Sequence, residues 1–182
     1  MMKTLIVTAN LISALLGAPV SADTSANNTA ATNTGSLETM RFDHMSINVA
    51  NFEQAMIWYQ EKLGFTADVS WRVEALNGKR LAYLSLGDTV IELVAADEGG
   101  VGLEPAKSFP EHFGRTGFGH LCFIVENVDA ALATLRQRGV PTFVHAETYA
   151  LDGTPYQRRV GFIQDPEGNV IEFAEALSLR KK

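Results

Sequence analysis

Cysteine is almost missing from this chain of 182 residues: Cys122 stands alone. An intrachain disulfide is therefore excluded, and the fold has to stand on its hydrophobic core. An excess of basic residues is missing too. Fifteen Lys and Arg face 21 Asp and Glu, a formal charge of −6. Nucleic acid and anionic lipid are not the expected partners, and the only basic cluster is the tail Arg180, Lys181 and Lys182. No apolar run reads as a membrane span, because Leu5 to Leu16 is short and broken by Thr8, Asn10 and Ser13. What is left, 46% hydrophobic and 20% charged residues, suits one soluble globular domain.

The N-terminal stretch differs from the rest. Lys3 begins it, the apolar run follows, and Val20, Ser21 and Ala22 form a small-residue cleavage pattern, so residues 1–22 read as a secretory signal peptide. Residues 23–36, "DTSANNTAATNTGS", are polar and of low complexity and read as a disordered linker. The mature domain is then expected over 37–182, secreted or periplasmic, with no membrane attachment once the signal is removed.

Two acids sit where strands should be apolar. "VIELV" (90–94) places Glu92 among branched aliphatics, and "VIEFA" (170–174) does the same with Glu172. Strand alternation groups Glu92 with Val90 and Val94, and Glu172 with Val170 and Ala174, so each acid shares its face with apolar neighbours. An ionised carboxylate there is costly unless it is paired or bound to a metal.

The same chain carries an internal repeat. "FDHMSINVANFEQA" (42–55) aligns without a gap on "FGHLCFIVENVDAA" (118–131), matching His44 with His120 at an offset of 76 residues. Glu92 and Glu172 match at an offset of 80. Each copy reads as strand, helix and three strands, which makes an α+β fold of two βαβββ modules, 41–96 and 117–176, joined by a connector over 97–116. In the first module the expected elements are a strand at 41–49, a helix at 52–63 capped by Asn51, and strands at 65–74, 79–86 and 89–96. In the second they are a strand at 117–125, a helix at 128–138 capped by Asn127, and strands at 141–149, 156–164 and 169–175.

One face of each sheet is covered by its helix, and the two open faces are expected to close into a shared cup. Met45, Ile47 and Val49 face the first helix and Leu121, Phe123 and Val125 the second, which leaves His44 and His120 toward the cup. Ile91, Leu93, Ile171 and Phe173 likewise face the helices, which leaves Glu92 and Glu172 toward the cup. Two imidazoles and two carboxylates converging in one cavity suit a divalent metal ion, with Zn, Ni, Co, Mn and Fe all compatible. His112 and His145 lie outside the repeat and are read as non-ligands. Trp71, Arg80, Tyr83, Arg158 and Arg159 lie on the strands that line the cup, with no rule for which of them point inward.

These motifs resemble the vicinal oxygen chelate superfamily, which includes glyoxalase I, the bleomycin resistance proteins and the extradiol dioxygenases. The resemblance rests on "DHMSINV", "WYQEKLGF", "GHLCFIV" and "DPEGNVIEF". It implies a paired βαβββ fold and metal ligands at His44, Glu92, His120 and Glu172, the quartet of bacterial glyoxalase I. It also implies proton abstraction next to a carbonyl on a small-molecule substrate, with Glu172 as base and Glu92 as ligand and partner in reprotonation. A homodimer in which each site takes His44 and Glu92 from one copy and His120 and Glu172 from the other is implied as well. Asn48 stands where glyoxalases carry an Arg that grips the glutathione carboxylate, so the resemblance stops short of glutathione. A non-catalytic small-molecule binding or resistance protein, and an extradiol-type dioxygenase, are the alternatives.

Overall fold

The computed structural model describes residues 40–98, 102 and 104–179. The expected signal peptide and linker, residues 1–22 and 23–36, lie outside the described residues. Among the described residues no helix is long and apolar enough to cross a membrane.

The first module runs β1 (Met45–Val49), α1 (Phe52–Trp58) with a π-helical continuation Tyr59–Leu63, β2 (Thr66–Val73), β3 (Lys79–Leu86) and β4 (Thr89–Ala95). The second runs β5 (His120–Ile124), α3 (Val128–Gln137), β6 (Thr142–Ala150), β7 (Tyr156–Gln164) and β8 (Val170–Ala174). Between the modules the connector forms the short helix α2 (Phe109–Phe113), and after β8 a two-residue strand β9 (Ser178–Leu179) pairs with β7. Strand order is β1-β4-β3-β2 in one sheet and β5-β8-β7-β6 in the other, with β1 parallel to β4 and β5 parallel to β8. The two expected βαβββ modules are present. The first strand of each is shorter than expected and begins near its histidine rather than at 41 or 117.

Local chemistry sets the repeat. The side chain of Asn51 accepts from Gln54 N at 3.1 Å and that of Asn127 from Ala130 N at 2.8 Å, satisfying a free donor at each helix start. The chain leaves each helix through a glycine in the left-handed region, Gly64 (φ 84°) and Gly139 (φ 82°), where a Cβ would be strained. Each helix is also clamped to the third strand of its sheet from its first turn. Arg80 on β3 pairs with Glu53, and both Nε and Nη2 of Arg159 on β7 reach the carboxylate of Asp129, at 2.7 and 2.8 Å.

The helix-facing sides of both sheets meet in one hydrophobic cluster. Val49, Phe52, Tyr59, Ile91 and Leu93 come from the first module, and Val128, Leu132, Ile163, Ile171 and Phe173 from the second. Met56, Phe65 and Phe123 adjoin them, Phe65 meeting Phe123 edge-on at 6.1 Å. Polar contacts join the modules as well: Tyr59 Oη donates to Asp165 Oδ2 at 2.7 Å, and Ala50 N donates to Glu167 Oε1 at 2.9 Å. Val160, Phe162, Val170 and Ala174, on the opposite face of the second sheet, form a smaller cluster that Phe109 of α2 covers.

Candidate functional site

Register decides which side chains share a face. Ser46 lies opposite Glu92 and Cys122 opposite Glu172, while Tyr83 pairs with Glu92 and Phe162 with Glu172. Ile91, Leu93, Ile171 and Phe173 are fully or almost fully buried against the helices. Glu92 and Glu172 therefore point to the opposite face, with side chains only 14% and 13% exposed. Each meets the histidine of its own module: His44 Nε2 is 3.7 Å from Glu92 Oε2, and His120 Nε2 is 2.8 Å from Glu172 Oε2.

The remaining ring nitrogens are engaged too. His44 Nδ1 is 2.6 Å from Asp43 Oδ2, and His120 Nδ1 is 3.4 Å from His112 Nε2. The connector thus brings His112 against His120, a placement that its position outside the repeat did not suggest. Asp43 carried a signal in its adjacency to His44; His112 carried none, since only the folded placement of α2 brings it against β5. Phe113 also packs on the His120 ring, at 5.9 Å between centroids. Burial lowers the His112 pKa, helped by the nearby His120 and Arg115. His145 is exposed on β6.

His44 and His120, with Phe42, Phe118 and Asn48, line a cavity of about 470 Å³ between the modules. Within one copy the four residues nevertheless remain two pairs. Among the described residues no three His, Cys, Asp or Glu side chains gather closely enough to hold a metal ion.

The strands sort the remaining candidates. Tyr83 packs on the His44 ring at 5.1 Å and Trp71 on Tyr83 at 4.9 Å, so both stand on the Glu92 face. Arg80 lies 4.4 Å over the Phe52 ring on the helix side, and Arg159 is held there by Asp129. Arg158, one residue earlier on β7, points the other way: its Nη2 is 3.9 Å from Cys122 Sγ. Cys122 is an exposed residue, yet its thiol is pushed up to about 11, by local desolvation first and then by the charge of Glu172 and a hydrogen bond to it.

The family model described as Glyoxalase/Bleomycin resistance protein/Dioxygenase superfamily matches residues 41–173. The chain belongs to this superfamily. A relative within reach by sequence is the uncharacterized protein YaeR of Escherichia coli (strain K12), 31% identical over 134 residues, which cover 72% of this chain and 93% of that one. Among solved structures, the superfamily fold is shared with the glyoxalase family protein from Enterococcus faecalis (TM-score 0.60, 25% identity, 76% of this chain and 99% of that chain). A glyoxalase I variant from Zea mays has the same fold (TM-score 0.54, 18% identity), aligned over 74% of this chain and 45% of that longer one. Members of the superfamily typically use divalent metals, and they often dimerise and bind small molecules.

Proposed function

We propose that the chain is an exported, metal-dependent lyase or isomerase of the glyoxalase I kind, acting by proton abstraction next to a carbonyl. The observation that carries this reading is the repeated pair itself, an imidazole and a carboxylate on the same face of each module. Two ligands at 2.0–2.2 Å from one ion, at angles of 90–110°, lie roughly 2.8–3.6 Å apart. The His120–Glu172 distance of 2.8 Å stands at the lower end of that range, and the His44–Glu92 distance of 3.7 Å lies just beyond its upper end. Asp43 engages the opposite ring nitrogen of His44, the usual outer-shell support of a metal-bound histidine, and His112 stands 3.4 Å from that of His120, so each Nε2 is left toward its glutamate.

One copy offers two donors per pair, so a four-ligand centre takes His44 and Glu92 from one copy and His120 and Glu172 from a second. Phe42 and Phe118, the repeat-related residues two positions before each histidine, are 76% and 85% exposed, as expected of side chains awaiting a partner surface. His44, Glu92, His120 and Glu172 would hold a divalent ion, which would supply Lewis acidity that makes a C–H next to a substrate carbonyl acidic. Glu172 takes that proton and Glu92 holds the position from which the adjacent carbon is reprotonated. Tyr83 and Trp71 form an aromatic wall beside His44 on which the substrate body rests.

A second reading is favoured by the cavity that His44 and His120 both line: closure within one chain would bring the pairs together. Metal analysis of the mature domain tests the main proposal, with about one divalent ion retained per quartet after loading and desalting. A substrate screen with and without chelator tests the chemistry, and oxygen consumption by the active protein would mark a dioxygenase instead.

A further inference from the structure

Arg158 and Arg159 are neighbours with opposite fates. Arg159 faces α3 and spends its guanidinium on Asp129 and Thr148. Arg158 starts on the Glu172 face of β7, and its guanidinium reaches Cys122 on β5, although β8 lies between those two strands. The head group therefore lies across β8, the strand that carries Glu172. A thiol at 3.9 Å is a weak partner for a guanidinium. Among the described residues Arg158 makes no ion pair with any carboxylate, and its Nε is buried without a hydrogen-bond partner.

A buried guanidinium nitrogen left unsatisfied is costly, and such a group persists where something else completes it. Charge says what that is. Glu92 and Glu172 contribute two negative charges and a divalent ion would contribute two positive ones, so Arg158 is a surplus positive charge on the sheet face that carries Glu172. Its planar fork of donors fits a carboxylate in two parallel hydrogen bonds. We propose that Arg158 receives a carboxylate of the substrate, making the substrate an anionic oxo compound rather than a neutral one. This rests on the reading of His120 and Glu172 as metal ligands, because that reading places the reacting oxygens beside the guanidinium.

Two hydroxamates provide the test on the cobalt-loaded protein, followed by its visible spectrum. Acetohydroxamate offers only the two vicinal chelating oxygens; succinic acid monohydroxamate offers the same pair plus a carboxylate. The wild type is expected to bind the carboxylated probe on the order of tenfold more tightly. Arg158→Gln should abolish that preference and Arg158→Lys keep part of it, with acetohydroxamate bound alike by all three. Equal affinity of the wild type for both probes, or a preference that survives Arg158→Gln, overturns the proposal. Retained cobalt whose spectrum neither probe perturbs also overturns it. If the protein retains no cobalt after loading and desalting, the metal reading fails, and the carboxylate site is judged on wild-type, metal-free protein. There, modification of Arg158 by phenylglyoxal, followed by peptide mass spectrometry, should be slowed by succinate; an unchanged rate rejects Arg158 as a carboxylate site.

Discussion

Tyr59 Oη donates a 2.7 Å hydrogen bond to Asp165 Oδ2, linking the end of the first helix to the β7–β8 turn 106 positions later in the chain. Asp165 also accepts from Glu167 N, Asn169 N and Asn169 Nδ2, so one carboxylate organises the "DPEGN" turn and seats the first module on it. Both residues are buried. Burial pushes the Tyr59 pKa up, and the charge of Asp165 adds to it, so the phenol remains a donor. Tyr59→Phe should destabilise by about 1.5–3 kcal/mol, the range for a hydrogen bond to a charged group. Asp165→Ala should cost more because it leaves several donors unpaired. Urea unfolding of both variants checks the order; a neutral Tyr59→Phe would mean that the contact does not hold the modules together.

Gly161 on β7 lies directly under α3. A Cβ there would stand 2.7 Å from Leu132 Cδ1 and 3.1 Å from Val128 Cγ1. Gly161→Ala is therefore expected to destabilise by about 1–3 kcal/mol through overpacking. The second substitution Leu132→Ala in that background should recover part of the loss, measured as a non-additive change in the denaturation midpoint.

The Arg159 clamp makes a pH-dependent contribution. Hydrogen bonding to Arg159 holds the Asp129 carboxyl below the usual carboxylate range. A depressed folded-state pKa gives stability that is present above the unfolded value near 4 and lost as pH falls through the folded value. The melting-temperature advantage of wild type over Asp129→Asn should thus be constant from pH 8 to 6, shrink below pH 4, and weaken in high salt. An advantage that grew on acidification would rule out this ion pair as its source.

Sharing of the metal centre between copies can be read by complementation. Chains carrying His44→Ala mixed with chains carrying Glu172→Gln give heterodimers in which one site keeps all four ligands and the other loses two. Metal binding at about half the wild-type level is expected, provided that each parent homodimer binds poorly. Verified heterodimers that bind no metal would favour a site built within one chain.

Export predicts cleavage after Ala22, because "VSA" follows the apolar run at signal-peptidase distance. Intact mass of the protein recovered outside the cytoplasm decides. A soluble cytoplasmic product retaining Met1 would remove the secretory reading.

Much of this fold is legible in the residues. The 42–55 and 118–131 repeat, the Asn caps and the glycine helix ends announce two equivalent modules, and alternation along β4 and β8 separates Glu92 and Glu172 from the core residues beside them. Those signals are local: strand period, helix cap and turn chemistry act over a few residues, so the chain carries them before it folds. The π-helical end of α1 and the helix inside the connector were not legible, since each depends on what the segment packs against.

The long-range choices belong to the tertiary structure. Only the β7–β8 register tells Arg158 from Arg159, because a shift of one residue exchanges the two faces. Only the path of the connector brings His112 to His120. The sequence by itself determined which four residues pair as His44 with Glu92 and His120 with Glu172, through spacing repeated in each module. That the two pairs stay separate within one copy is a matter of how the modules pack, with Phe65 on Phe123 and Tyr59 on Asp165 across the boundary, contacts between residues too distant in sequence for local pattern to encode.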